Sequence, residues 1–154
     1  PECFIPLAEQ SGVINKLTHW VIEQAVEQEQ QWQNKGLKIP ISVNISAVDI
    51  TSLTLPEHVA TLLTDKKLDP THLTLEVTES ALMGELVTSL DILTRLRLKG
   101  LGLSIDDFGT GYSSLSQLHR VPFTELKIDQ TIISLGPKYK QTFFESMLAK
   151  RTLI

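Results

Sequence analysis

Four short apolar runs, Ile41 to Ile45, Leu73 to Val77, Leu101 to Ile105 and Thr124 to Ile128, have the length and composition of β-strands, and each lies far enough from the next for a helix to fit between. That spacing constrains the fold more than any other feature. Strands joined by a tight turn pair antiparallel, whereas strands separated by a helix return in the same direction through right-handed crossovers. The expectation is an α/β protein with about four parallel strands and intervening helices, in the order β-α-β-α-β-α-β.

The helical stretches mark their own ends. From Val13 to Asn34 apolar residues recur at Val13, Ile14, Leu17, Trp20, Val21, Ala25 and Trp32, a helical period, and Gly36 stands where a C-cap glycine is expected. Trp20 and Trp32 read most simply as core residues. Thr54-Leu55-Pro56-Glu57 combines capping-box spacing with a first-turn proline and predicts a second helix to about Lys67, with Val59, Leu62 and Leu63 inward. A third is expected from Leu82 to Lys99, its stripe of Leu86, Leu90, Leu93 and Leu96 stopping at Gly100. Shorter helices are expected near Ser114 to His119 and Gln141 to Lys150.

Alternation along each strand separates two faces. Ser42 and Asn44 oppose Val43 and Ile45, Thr74 and Glu76 oppose Leu75 and Val77, Ser104 and Asp106 oppose Leu103 and Ile105, and Glu125 and Lys127 oppose Leu126 and Ile128. Helices should cover the apolar faces. The polar faces then converge on one interior, with Asn44, Glu76, Asp106 and Lys127 near the C-terminal ends of their strands, the rim where (β/α) barrels build active sites.

Carboxylates gathered at that rim would repel one another, and a divalent cation is the natural compensation. Oxygen donors such as Asn44, Glu76, Asp106 and Asp107 suit Mg²⁺ or Mn²⁺, and adjacent aspartates at a strand end suit a pair of metals, one carboxylate bridging. The four histidines and lone Cys3 show no zinc-ligand spacing and leave no internal disulfide. Each residue also has a plainer reading. Glu76 and Lys127 make an interior ion pair, and Asp106 or Asp107 caps the following helix. Gly109-Thr110-Gly111-Tyr112-Ser113-Ser114 lacks the Gly-Lys-Ser/Thr ending of a P-loop and reads as an active-site loop.

At 154 residues the chain fits one compact domain. A net charge of −4 with dispersed Lys and Arg argues against binding a nucleic-acid polymer. No apolar run approaches the roughly 20 residues that span a bilayer, so a soluble segment without membrane contact is expected, and the lone Cys3 suits a reducing, cytoplasmic setting.

Taken in order, Phe4-Ile5-Pro6-Leu7-Ala8-Glu9, Val43-Asn44-Ile45-Ser46, Leu75-Glu76-Val77-Thr78-Glu79-Ser80, Ile105-Asp106-Asp107-Phe108-Gly109-Thr110-Gly111-Tyr112-Ser113-Ser114 and Leu126-Lys127-Ile128-Asp129 closely resemble the motifs of EAL domains, over essentially the whole chain. The resemblance implies a modified TIM barrel that hydrolyses cyclic di-GMP to linear pGpG with two Mg²⁺ or Mn²⁺ ions. It implies Asn44 and Glu76 as ligands of the first metal, Asp106 as the bridging ligand and Asp107 as a ligand of the second. Lys127 would help position the attacking water. Glu79 would anchor the loop after the aspartates, to which Phe108, Gly109, Thr110, Gly111, Tyr112 and Ser113 belong.

Against that family the chain reads as a single incomplete EAL domain over residues 1–154, a partial barrel without the first strand carrying the Glu-Ala-Leu signature and without the C-terminal strands. A complete barrel needs about 250 residues. The expectations are a weak or empty metal site, an inactive isolated segment of an active parent phosphodiesterase, and self-association, as a homodimer or otherwise, through open edges. The alternative is a non-catalytic cyclic di-GMP receptor or protein-interaction module on a degenerate EAL scaffold.

Overall fold

A computed structural model describes residues 3–83, 86–109 and 120–134. Strands β1 (Ile41–Asn44), β2 (Leu73–Thr78), β3 (Gly102–Phe108) and β4 (Glu125–Ile128) form one parallel sheet in the order β1-β2-β3-β4. That order decides the architecture. A doubly wound sheet reverses its winding and places helices on both faces, whereas crossovers that always step the same way keep them on one face, as in a barrel wall.

The covered face is the core. Val43, Leu75 and Leu103 stand in register across three strands, Val77, Ile105 and Leu126 follow in the next apolar row, and all but the half-buried Leu126 are buried. Over them lie α2 (Ile14–Asn34), α3 (Leu55–Lys66) and α4 (Leu86–Leu98), contributing Ile22, Val26, Val59, Leu63, Ile92, Leu93 and Leu96 to the same cluster. A short α1 (Ile5–Gln10), unforeseen in the sequence, precedes them with Pro6 in its first turn. A short α5 (Gln130–Ser134) follows β4.

Helix α2 ends as expected. Gly36, at φ 76°, donates its N–H to Gln33 O and Leu37 donates to Trp32 O, both at 2.9 Å, which is a Schellman motif. Its buried stripe is not the expected one: Ile14, Thr18, Ile22, Val26 and Glu29 face inward, while Trp20 is 57 % exposed and Trp32 is half-buried. The stripe accepts two polar residues because each finds a partner, Thr18 at Asp49 and Glu29 at His72. Trp20 instead lines an apolar cleft with Phe4, Ile5 and Leu17.

The capping box at Thr54 does not form. Thr54 makes no side-chain cap, and Glu57 turns outward to Arg95 at 3.3 Å and Lys99 at 2.8 Å, tying α3 to α4. The expected third helix is divided, with a 3₁₀ turn over Ser80–Met83 before α4. Strand β3 runs three residues beyond the expected end at Ile105, through Asp106, Asp107 and Phe108. The helices expected near 114–119 and 141–150 lie outside the described residues, as do Thr110, Gly111, Tyr112 and Ser113. Among the described residues no helix is long and apolar enough to cross a membrane.

Leu93 is fully buried and Val87, on the same helix, is 83 % exposed. Leu93→Ala should cost about 2–5 kcal/mol in a urea unfolding titration and Val87→Ala less than about 0.5. Equal costs would mean that α4 packs by another face.

Candidate functional site

Register carries the polar residues into rows as regular as the apolar ones. Asn44 pairs with Glu76, Glu76 with Ser104 and Ser104 with Glu125, so one row across all four strands is wholly polar. Thr78 and Asp106 begin the next row, toward the C-terminal ends. Ser104 and Glu125 were assigned to this face by alternation but not counted among the candidate site residues; the signal was their register with Glu76, which sequence alone does not supply.

Glu76 is buried, its side chain 5 % exposed, and Lys127 donates to its Oε1 from β4, passing over β3. Strands two apart are about 10 Å from one another. The long lysine closes that gap over β3, whose Ser104, in register with Glu76 and Glu125, is small and fully buried. The bond to Glu76, with added attraction from Glu76, Asp106 and Glu125, holds the Lys127 ammonium above the ordinary lysine range, and burial opposes it only in part. The interior ion pair anticipated from the sequence is therefore present, at the rim that the catalytic reading also requires.

The paired aspartates owe their placement to an irregularity. Ile105 pairs with Leu126 and Phe108 with Ile128, so Asp106 and Asp107 together stand opposite Lys127 alone. This is a bulge, and Asp107 absorbs it at φ 54°. Strict alternation would have turned Phe108 onto the polar face with Asp106. The extra residue returns Phe108 to the core, where it is 3 % exposed, and leaves Asp106 half-buried and Asp107 exposed.

Glu79 straddles the bulge. Its N–H donates to Asp106 O at 3.1 Å, and its buried carboxylate accepts from Gly109 N at 2.7 Å. Gly109 has φ +102°, and a Cβ there would sit 2.5 Å from Ile132 Cγ1 of α5, so both backbone and space require glycine. The start of the loop motif is thus held from two sides.

The oxygen donors Asn44, Glu76, Asp106 and Asp107 suit Mg²⁺ or Mn²⁺. Among the described residues no three His, Cys, Asp or Glu side chains are gathered closely enough to hold a metal ion. Lys127 already supplies positive charge beside Glu76 and feels Asp106, so this face calls for cations, and the donors fit as part of a ligand set. The histidines are less scattered than their sequence positions suggest: His19 and His58 stack at 4.2 Å between α2 and α3, and His72 Nδ1 lies 2.8 Å from Glu29.

The chain belongs to the EAL domain family, whose profile matches residues 1–150. It is 45 % identical over 135 residues to the Pseudomonas aeruginosa bifunctional diguanylate cyclase/cyclic di-GMP phosphodiesterase MucR, covering 87 % of this chain and 20 % of that protein. It is 35 % identical over 131 residues to the P. aeruginosa cyclic di-GMP phosphodiesterase PA2567, covering 85 % of this chain and 22 % of that protein. The chain thus spans about a fifth of the length of these curated relatives. A solved structure of the PaMucR phosphodiesterase in complex with c-di-GMP superposes with a TM-score of 0.83 at 41 % identity, over 97 % of this chain and 66 % of that one.

The two halves of the ion pair are unequal, since Lys127 is 38 % exposed and Glu76 almost enclosed. Lys127→Met strands a buried carboxylate and should destabilise the fold by somewhat less than the roughly 3–5 kcal/mol of a fully buried pair. Glu76→Gln should cost less, because the freed ammonium can turn to water. A lysine whose pKa is raised by folding lends stability that is complete below the ordinary lysine range and fades as pH climbs through the raised value. Unfolding free energies measured across alkaline pH should therefore decline in the parent protein and flatten in Lys127→Met; parallel profiles would remove the pair from the account.

Proposed function

We propose that this chain is part of an EAL domain that hydrolyses cyclic di-GMP to linear pGpG, with Asn44, Glu76, Asp106 and Asp107 holding Mg²⁺ or Mn²⁺. The observation that carries the reading is the convergence of the Glu76–Lys127 pair and the bulged Asp106-Asp107 on one strand-end rim. Support comes from relatives named as cyclic di-GMP phosphodiesterases and from a structural neighbour in complex with c-di-GMP. Because the chain spans only part of those proteins, the activity is proposed for the whole protein, with the isolated segment inactive and further ligands contributed by the rest of the domain. Self-association, as a homodimer or otherwise, belongs to the same proposal.

Lys127 donates hydrogen bonds and positive charge in this scheme, orienting the attacking water and opposing the phosphoryl charge. Glu79 fixes the start of the substrate loop through Gly109. Bound divalent ions would add Lewis-acid stabilisation of the phosphoryl oxygens and acidify water.

The test is to incubate the full-length protein with cyclic di-GMP and Mn²⁺ or Mg²⁺ and separate the nucleotides by chromatography. pGpG should accumulate, and Glu76→Ala or Asp106→Ala should slow it at least about 100-fold, the scale on which one transition-state-stabilising group acts. Tight cyclic di-GMP binding without any pGpG would replace the enzyme with a receptor.

A further inference from the structure

Asn44 is the last residue of β1, which among the described residues is an edge strand paired only with β2. One more ladder bond follows it, Ile45 N to Glu76 O at 2.9 Å, and then the chain leaves the sheet at Ser46. The turn there is fixed by Asp49, which is 1 % exposed. Its Oδ2 accepts from Ser46 N at 2.8 Å, from Ser46 Oγ at 2.8 Å and from Thr18 Oγ1 at 2.6 Å. Asp49 N donates in turn to Ser46 O at 3.1 Å.

Two features set this apart from an ordinary turn. A surface Ser or Asn closes a short turn with no burial, whereas a carboxylate withdrawn from water costs several kcal/mol unless its donors compensate. Here three donors converge on one oxygen, while Oδ1 is buried with no hydrogen-bond partner among the described residues. The third donor, Thr18, comes from the second turn of α2 and is itself buried, so the turn is bonded to the longest described helix rather than to itself alone. From this we propose that Asp49, acting through Thr18 and Ser46, is a positioning residue that clamps the end of β1 to α2 and so keeps the Asn44 amide in line with Glu76. The inference rests on the reading of Asn44 as a metal ligand. Asp49 touches neither substrate nor metal in it.

A role confined to folding would lower stability without selecting metal affinity, so the experiment reads both. Binding of Mn²⁺ alone to the full-length protein is followed by the paramagnetic resonance of free Mn²⁺, beside thermal melting, for Asn44→Ala, Asp49→Ala, Asp49→Asn, Thr18→Val and the remote core variant Val59→Ala. Asp49→Ala should weaken Mn²⁺ binding about 10-fold or more, as loss of a residue that orients a ligand does. Asp49→Asn, which keeps a carbonyl acceptor, should recover most of that. Val59→Ala should lower the melting temperature and leave Mn²⁺ affinity unchanged. Should Asp49→Ala fail to fold, Thr18→Val removes one of the three bonds and is expected to weaken binding about three-fold. If Asn44→Ala loses Mn²⁺ affinity while the Asp49 and Thr18 variants keep it, or if Val59→Ala loses as much, the positioning role is overturned and the site reading survives. If Asn44→Ala binds Mn²⁺ as the parent does, the reading of Asn44 as a ligand falls and this inference falls with it.

Discussion

The bond from Lys127 to Glu76 joins two strands that share no backbone hydrogen bond, and it sets the shape of the polar face. A carboxylate as enclosed as Glu76 is tolerated only with a cation against it. The cation comes from β4, across the width of β3, so β2 and β4 must present these side chains toward one another over the strand between them. The β3 residue in register with Glu76 is the small, fully buried Ser104. Concavity toward the polar side, which a barrel wall supplies, follows from the same requirement. The proposed phosphodiesterase role and the structural role of this pair are therefore not rivals: the lysine compensates the carboxylate in the fold described, and in the proposed reaction the same positive charge would face a phosphoryl group.

The covered face depends on α2 in a comparable way. Its inward stripe is interrupted by Thr18 and Glu29, each satisfied by a residue from another part of the chain, and Gln30 Nε2 adds a bond to Lys66 O at 3.2 Å. Hydrophobic contact has no direction, so it leaves a helix free to slide or rotate by small amounts at little cost. Polar contacts at both ends of the stripe give α2 a defined register on β1 and α3.

The sequence disclosed the four parallel strands, their apolar faces and the polar residues that share the opposite face, because each rests on a short period or a short motif. What it concealed required knowing partners distant in the chain. Thr18 and Glu29 were not among the residues expected to face inward, because their partners Asp49 and His72 are 31 and 43 positions away. Trp20 looked like core because size and apolarity say nothing about which side of a helix faces the sheet. The capping box at Thr54 failed because Glu57 had stronger offers from Arg95 and Lys99, both about 40 positions away. The extension of β3 was hidden for a different reason: two aspartates and a following glycine suggest a loop, and only pairing with β4 makes them strand.

The bulge at Asp106 and Asp107 makes this strand unequal in how it tolerates different kinds of genetic change. A substitution at either aspartate alters one side chain. Loss or gain of a single codon there would alter the phase of everything that follows in the strand, exchanging Phe108 between interior and rim and pulling Gly109 away from both Glu79 and Ile132. Length therefore constrains this stretch as well as identity, and chimaeras between related domains should be joined elsewhere.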